Sequence, residues 1–223
     1  MPFQGMKKME KIRFIYFDLG NVLLKFSVRR LLHQIAEVSG VSDDDVRQAF
    51  FDDQWYLKYE KGEIDGIEYF AHYCQQIKKS VPSEDLINAA NDIFWVNEPI
   101  LPLLRHLAGE FFPRGILSNT GPHHWIYVQE AFSNIIGLIP RHRIASFEVG
   151  AIKPYPEIYR IALDEAQKEV PDLQPAQVLL IEDLEENVAG AKEFGFQAIC
   201  YDDHDQVLAE LKRLGIPLPE ESA

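Results

Sequence analysis

Short apolar segments that alternate with helical segments are the feature that most restricts the fold of this sequence. Five such segments read as buried strands, because each is short and ends at a turn. Between the later ones, apolar residues recur at the three- and four-residue spacing of a helix. Strands separated by helices pair in parallel, so the pattern predicts an α/β fold whose sheet carries helices on both faces. The predicted strands are 12–17, 115–118, 143–147, 178–181 and 198–200.

A long stretch with only helical signals interrupts this alternation after the first strand. Several of its polar residues stand where a side chain can cap a helix, and apolar residues at helical spacing follow each of them. We see no strand signal in this stretch, which is about the size of a small helical bundle. We therefore predict an α/β core of residues 1–26 and 98–223, and an inserted all-helical domain of residues 27–97. The predicted caps are Ser27, Ser42, Asp65 and Ser83.

The charge balance limits the partners of the protein. The 223 residues include 22 Lys and Arg against 35 Asp and Glu, a formal net charge of −13. This balance argues against nucleic acid or an anionic membrane as the main partner, because basic side chains do most phosphate-backbone binding. No uninterrupted apolar run reaches the roughly 18 residues of a membrane-spanning helix. The sequence carries no signal of oligomeric state.

The cysteines and the N-terminal segment are the features that indicate a cellular compartment. Cys74 and Cys200 lie in separate apolar stretches and match no metal motif or disulfide framework. The N-terminal segment is charged and lacks the apolar core of a secretory signal. We therefore predict a reducing, cytoplasmic environment.

Polar residues follow the predicted strands at the points where they end. In an open α/β sheet, ligands bind beyond the carboxyl ends of the strands, so we expect these residues to meet at one site. Taken singly, each has an ordinary structural explanation as a turn residue, a helix cap or an exposed lysine. Only the ordered set favours a functional site. The residues are Asp18, Gly20, Asn21, Ser118, Asn119, Lys153, Glu182 and Asp183.

The chemistry of this set is that of a phosphate clamp. Three carboxylates close together cannot all stay ionised without a positive partner. Oxygen ligands suit Mg²⁺, which usually takes one or two carboxylates, waters and a substrate phosphate. Lys153, Ser118 Oγ and the backbone N–H groups near Asn119 can bind phosphoryl oxygens. One carboxylate is then free to attack phosphorus, and aspartyl-phosphate formation is an established covalent route.

The order of the residues resembles the haloacid dehalogenase-like hydrolase superfamily over essentially the whole chain. The segments FIYFDLGNV, ILSNT, GAIKPYPEIY and LLIEDLEENVAGA look like its four motifs in the right order. The resemblance implies a Rossmann-like core and a cap domain that closes over the site and selects the substrate. It also implies that Asp18 is the nucleophile. Mg²⁺ would be bound by Asp18, the Gly20 carbonyl and Asp183, with Glu182 in or beside that shell, and the phosphoryl group by Ser118, Asn119 and Lys153.

Gly20 departs from the family pattern, which has a second Asp at this position. In the family that Asp protonates the leaving oxygen and later activates water, a contribution of about 10²–10⁴ in rate. The metal contact survives because it uses a main-chain carbonyl. Three outcomes are open: His123, His124 or a cap side chain substitutes, the substrate is an anomeric or acyl phosphate that needs little protonation, or turnover is slow or absent.

The resemblance implies a Mg²⁺-dependent phosphatase, a phosphoric monoester hydrolase acting on a small phosphorylated metabolite. A branch with the same Asp-Leu-Gly-Asn-Val segment includes sugar-1-phosphate phosphatases, which favours a sugar phosphate. One alternative is a haloacid dehalogenase that attacks carbon without a metal. The other is a silent family member that binds a ligand or partner protein through the cap. Four residues of the predicted insert have two possible roles: they select the substrate, or they pack in the core of the insert. These residues are Trp55, Tyr56, Tyr59 and Glu60.

Overall fold

A computed structural model describes residues 10–219 of the chain. Most of the N-terminal segment discussed above, residues 1–9, lies outside this range. The strands within it are β1 (Phe14–Phe17), β2 (Leu24–Phe26), β3 (Phe94–Val96), β4 (Arg114–Ser118), β5 (Arg143–Ala145), β6 (Val178–Glu182) and β7 (Gln197–Cys200).

The α-helices fall into an early group and a later group. The early group is α1 (Val28–Ser39), α2 (Asp43–Phe50), α3 (Asp53–Glu60), α4 (Gly66–Ile77) and α5 (Ser83–Asn91). The later group is α6 (Leu101–Gly109), α7 (Pro122–Ala131), α8 (Ser133–Ile136), α9 (Ser146–Val149), α10 (Pro156–Gln167), α11 (Glu185–Phe194) and α12 (His204–Arg213).

Five strands form one parallel sheet in the order β5-β4-β1-β6-β7. This confirms the predicted Rossmann-like core, with the first strand at the centre. One predicted strand is too long: residues 143–147 contribute only Arg143–Ala145, because the chain turns into α9 at Ser146. The chain builds outward from β1 to β4 and β5, then crosses to β6 and β7. The reversal leaves the carboxyl end of β1 at the switch point, where such sheets bind ligands.

Alternate side chains of the strands bury two separate cores, one on each face of the sheet. Ile15 and Phe17 point to the face covered by α6, α7, α8 and α12. Phe14 and Tyr16 point to the face covered by α10 and α11. All four side chains are fully buried, and each such apolar side chain contributes roughly 1.5–3 kcal/mol. The near-continuous apolar runs in the sequence follow from this double burial.

Helices α1 to α5 form an insert, residues 28–91, between β2 and β3, with a core of its own. Ser27, Ser42 and Asp65 cap its helices as predicted, whereas the α5 cap position is Pro82 rather than Ser83. The prediction that residues 27–97 contain no strand is wrong at one point. Phe94–Val96 pairs antiparallel with Leu24–Phe26, so a two-stranded ribbon joins both ends of the insert to the core. A three-residue strand is too short for periodicity to reveal.

Two sequence-based expectations concern features outside the core. Within residues 10–219, no helix combines the length and the apolar character needed to cross a bilayer. Cys74 and Cys200 are both free cysteines.

Candidate active site

The register of the sheet brings three of the predicted residues to one edge. Phe17, the last residue of β1, pairs with Ile116 on one side and with Ile181 on the other. The next residues along these strands are therefore neighbours at the carboxyl edge. Asp18 lies between the end of β4, which carries Ser118, and the end of β6, which carries Glu182.

Lys153 lies at the centre of the site. Its ammonium donates to Asp18 Oδ1 at 2.7 Å, to Glu182 Oε2 at 2.5 Å and to the Leu117 carbonyl at 3.0 Å. These three hydrogen bonds use all three protons of the ammonium. Lys153 is 3% exposed, so water does not screen them. In this arrangement Lys153 orients the Asp18 carboxylate, and a phosphoryl oxygen would have to displace one of its present acceptors.

Glu182 is fully buried beneath the cleft that Asp18 and Lys153 also line, and it holds the lysine. Its Oε2 accepts from Lys153, and its Oε1 accepts from the Leu184 amide at 3.2 Å and from Asn187 Nδ2 at 3.1 Å. Such a fully bonded carboxylate supports its neighbours. Of the two positions left open for Glu182, in or beside the metal shell, these contacts favour the position beside it.

The pKa directions in the site follow from burial and from charge. Burial first, and then the charge of Glu182, raise the pKa of Asp18 to about 8, although Lys153 acts against this. Burial opposes ionisation of Glu182, but Lys153 and the hydrogen bonds it receives hold its pKa below the ordinary value. Burial alone would lower the pKa of Lys153, but the charges of Asp18 and Glu182 raise it. Burial also raises the pKa of Asp183. The site thus holds more negative charge than its one lysine balances.

The donor set fits a hard divalent cation. Asp18, Glu182 and Asp183 each offer a carboxylate oxygen, and these atoms lie within 4.8 Å of one another. With all three carboxyl groups ionised, the three carboxylates and one ammonium leave two negative charges, which one divalent ion would neutralise. All the donors are oxygens, as Mg²⁺ prefers. Asp18 and Asp183, with the Gly20 carbonyl between β1 and β2, are the residues that would hold it.

Ser118 and Asn119 lie at the end of β4 beside Lys153. The Asn119 side chain forms two hydrogen bonds with the backbone of Lys153. Asn119 Nδ2 donates to the Lys153 carbonyl, and the Lys153 amide donates to Asn119 Oδ1, each at 2.9 Å. The Asn119 side chain therefore fixes the loop that carries Lys153. The backbone amide of Asn119 would then be its donor to a phosphoryl group. Ser118 is 2% exposed and ends the strand. The predicted phosphate-binding role of both residues stays a prediction.

A cleft of about 670 Å³ opens above these residues. Its floor is the carboxyl edge of the sheet, and its roof comes from the insert. The floor includes Asp18, Gly20, Asn119, Lys153 and Asp183, the roof includes Tyr56, Leu57 and Glu60, and Phe26 of β2 also lines the cleft.

The end of α3 is held against the core by several close approaches. A methyl group at Gly121 would lie 2.0 Å from the Tyr59 ring, and one at Gly62 would lie 2.2 Å from the Phe147 carbonyl oxygen. Gly62 also has a φ of +68°, which favours glycine. Tyr59 Oη and His123 Nδ1 are 2.9 Å apart. These contacts fix the roof over the floor.

Gly20 leaves the site without the second aspartate, and the two predicted histidine substitutes have other partners. A Cβ at Gly20 would lie 3.0 Å from the Phe26 ring, so this ring takes up the space beside the backbone. His123 contacts Tyr59 in the insert rather than facing water. His124 Nε2 bonds to the Ala90 carbonyl at 3.1 Å, and burial lowers its pKa to about 4. Neither histidine lines the large cleft, although His124 lines a smaller cavity beside Gly20.

Two asparagines support the site, and the sequence analysis did not give them this role. Asn21 Nδ2 donates to Asp183 Oδ2 at 2.9 Å, and Asn21 has a φ of +54° that asparagine tolerates well. Asn187 lies in the first turns of α11, where its side chain reaches back to Glu182. The sequence analysis expected Asn21 at the site, but without its bond to Asp183. Asp183 is not a helix cap, since Leu184 is the N-cap of α11 and no side chain caps this helix.

Comparison with known proteins gives one family. Residues 12–195 match the model of the haloacid dehalogenase-like hydrolases. A curated relative is the rat bifunctional epoxide hydrolase 2, which is 24% identical over 230 residues. That alignment takes in 94% of this chain but 40% of the relative, so the chain spans two fifths of the length of that protein.

Solved structures share the fold. A haloacid dehalogenase family enzyme from Bacteroides thetaiotaomicron, in complex with magnesium and inorganic phosphate, has a TM-score of 0.71 and 24% identity, over 85% of this chain and 93% of that one. A predicted family hydrolase from Porphyromonas gingivalis has a TM-score of 0.75 and 20% identity, over 96% and 100%. The L-2-haloacid dehalogenase of Xanthobacter autotrophicus, with chloropropionic acid covalently bound, has a TM-score of 0.60 and 20% identity, over 92% and 84%.

Proposed function

The chain belongs to the haloacid dehalogenase-like hydrolase family, and on that basis we propose that it is a Mg²⁺-dependent phosphatase. Its substrate is a small phosphorylated metabolite, and the reaction passes through an aspartyl-phosphate on Asp18. The observation that carries the proposal is the charge of the site. When all three are ionised, Asp18, Glu182 and Asp183 around one lysine leave an excess of two negative charges, which a bound Mg²⁺ would balance before an anionic phosphate ester enters.

The residues of the chain divide the work of phosphoryl transfer. Lys153 fixes the Asp18 carboxylate at 2.7 Å, so that one oxygen is held while the other is free to attack phosphorus. A bound Mg²⁺ would supply charge neutralisation to Asp18 and to the phosphoryl oxygens. Ser118 Oγ and the Asn119 amide would donate to these oxygens. Positioning and charge neutralisation account for most of the catalysis of phosphoryl transfer.

The cleft supports a small polar substrate such as a sugar phosphate. Its volume of about 670 Å³ lies within the range of roughly 300–1,000 Å³ that is usual for small-molecule sites. Tyr56 and Tyr155 offer hydroxyl groups at its walls, and Phe26 offers an apolar face. A sugar has both the hydroxyl groups and the apolar ring faces that such walls can bind.

Dehalogenation at carbon is the second candidate, and Gly20 is the observation that favours it. A halide leaves without a proton, so a dehalogenase has no need of the missing aspartate as a proton donor to the leaving group. The same reaction also has no need of a metal, and it would leave Asp183 and its bond from Asn21 without a purpose. The excess negative charge therefore favours the phosphatase.

A phosphate-ester screen tests the proposal. We expect phosphate release with Mg²⁺ from at least one sugar phosphate, and loss of that release with EDTA or in Asp18→Asn. The screen should compare anomeric phosphates with primary-alcohol phosphates, because only the latter require a strong proton donor. Chloride release from 2-chloropropionate without Mg²⁺ would overturn the proposal in favour of the dehalogenase. An absence of turnover throughout the panel would favour a silent, ligand-binding protein.

A further inference from the structure

We propose that Glu60, in the insert, is the general acid and base of the reaction and takes over the task of the aspartate that Gly20 replaces. The inference rests on the proposed function and assigns a catalytic role to a residue of the roof.

The position of Glu60 is the first argument. Glu60 is the last residue of α3, and its side chain lines the same cleft as Asp18, Gly20, Lys153 and Asp183. It also lines a smaller cavity of about 120 Å³ that continues past Gly20 towards Ser118. Glu60 is thus a carboxylate that the insert, rather than the sheet edge, presents to the reacting groups.

The firm attachment of α3 to the core is the second argument. A proton donor must be held in place, and Tyr59, directly before Glu60, and Gly62, two residues after it, both contact the core. Tyr59 packs against Gly121 and bonds to His123. Gly62 lies against the Phe147 backbone so closely that any side chain there would clash. Contacts both before and after Glu60 in the sequence therefore hold it in place.

The direction of attack is the third argument. Asp18 attacks phosphorus from the floor, so an in-line displacement expels the leaving oxygen towards the roof. In the second half of the reaction, water must attack the aspartyl-phosphate from that same side. One group on the roof can therefore serve both steps, and Glu60 lies there.

The surroundings of Glu60 suit an acid that holds its proton. Burial raises its pKa, while a hydrogen bond from Tyr56 and the charge of Lys153 act in the opposite direction. The other titratable groups that sense its charge are Tyr59 on its own helix and Tyr69 on α4. The nearby tyrosines carry no charge at neutral pH, so Lys153 is the group that stabilises the carboxylate once the proton has left.

The proposed steps balance. As Asp18 Oδ bonds to phosphorus, the bond from phosphorus to the ester oxygen breaks, and the Glu60 carboxyl gives its proton to that oxygen. The alcohol leaves, and Glu60 is then a carboxylate. A water oxygen next attacks phosphorus while Glu60 takes one of its protons. The bond from phosphorus to Asp18 breaks, which releases phosphate and restores both side chains.

Glu60→Gln tests this role, with Glu63→Gln as the matched control. Glu63 follows three residues later, is exposed and lies outside the cleft. We expect Glu60→Gln to lower kcat for a primary-alcohol phosphate by about 10²–10⁴ and Glu63→Gln to leave it unchanged. With an aryl phosphate, whose phenolate leaves without a proton, the first step in Glu60→Gln should remain fast. The aspartyl-phosphate should then accumulate, so p-nitrophenol should appear in a burst.

Gly20→Asp in the Glu60→Gln background gives a second, independent readout. The new carboxylate occupies the position that the family uses, at the cost of a small shift of the Phe26 ring. We expect it to recover part of the lost rate. A Glu60→Gln variant that hydrolyses alkyl phosphates at the wild-type rate would overturn the inference, as would an equal loss of the first step for both classes of ester. If no ester is hydrolysed by the wild type, or if Asp18→Asn is active, the proposed function itself has failed.

Discussion

Replacement of Lys153 by Met tests whether the buried charge cluster holds the site together. Met keeps the length of the apolar stem and removes the ammonium. The change breaks hydrogen bonds to Asp18 at 2.7 Å, to Glu182 at 2.5 Å and to the Leu117 carbonyl. Both carboxylates then face each other in a site from which water is largely excluded, because Asp18 is 7% exposed and Glu182 is 0% exposed.

The structure allows the size of this effect to be worked out. Removal of one partner from a buried ion pair costs about 3–5 kcal/mol, because a buried charge is left without compensation. For a chain of this size, each kcal/mol lowers Tm by about 2–4 °C, so we expect a fall of about 6–20 °C. The total stability of such a protein is about 5–15 kcal/mol, so Lys153→Met should still fold.

The loss should depend on pH, and its sign follows from the pKa directions. Lys153 holds the pKa of Glu182 below its ordinary value of 4.5 and acts against the elevated pKa of Asp18. Without Lys153, Glu182 as well as Asp18 keeps a proton in the folded state at pH values where the unfolded chain has released it. Stability then falls as pH rises. The free energy of unfolding lost in Lys153→Met should be greater at pH 8 than at pH 5.

Urea denaturation of the wild type and Lys153→Met at both pH values measures the effect. Lys168→Met is the control, because Lys168 is an exposed lysine that also forms an ion pair, with Glu165. An exposed pair is worth about 0–1 kcal/mol. A loss in Lys153→Met no larger than in Lys168→Met, or a greater loss at pH 5, would refute the reasoning.

Two further variants probe the contacts around the cleft. The pKa of His124 is lowered from an ordinary 6.5 to about 4, so the wild type should lose stability as pH falls from about 6.5 to 4, where the unfolded chain takes up a proton that the folded chain refuses. Denaturation of His124→Asn at a series of pH values should lack that loss. If the stability of the variant and of the wild type changed with pH in parallel, the lowered pKa of His124 would be contradicted. Gly121→Ala would place a methyl group 2.0 Å from the Tyr59 ring and should displace the insert. We expect lower activity with cooperative unfolding retained, so an unchanged kcat would show that the docking of Tyr59 does not matter.

The layout of the sheet could be predicted from local sequence because its strands are buried on both faces. Each strand is a short apolar run, and each is followed by helical spacing, so the order of elements was readable. Helix caps such as Ser27 and Asp65 are also local signals, and the structure confirms them. The strand Phe94–Val96 is different. It exists because Leu24–Phe26 lies beside it, a pairing across the whole insert that no local pattern contains.

The site shows the same division between local and long-range information. Asp18, Ser118 and Glu182 follow strand ends, and parallel strands bring their ends to one edge, so their proximity was predictable. The three hydrogen bonds of Lys153 were not, because they depend on how the loop before α10 folds back. The position of Glu60 in the cleft could not be predicted from local sequence either, since it depends on how the helical insert packs against the α/β core.

Identification of the residue that becomes phosphorylated tests the central claim most directly. The protein should be mixed with Mg²⁺ and a substrate found in the ester screen, quenched within the first turnover, and reduced with borohydride. Borohydride converts an aspartyl-phosphate into homoserine, which mass spectrometry locates in the chain. We predict homoserine at position 18 in the wild type and none in Asp18→Asn. Phosphate release without homoserine at position 18, or with the modification at another residue, would contradict the account.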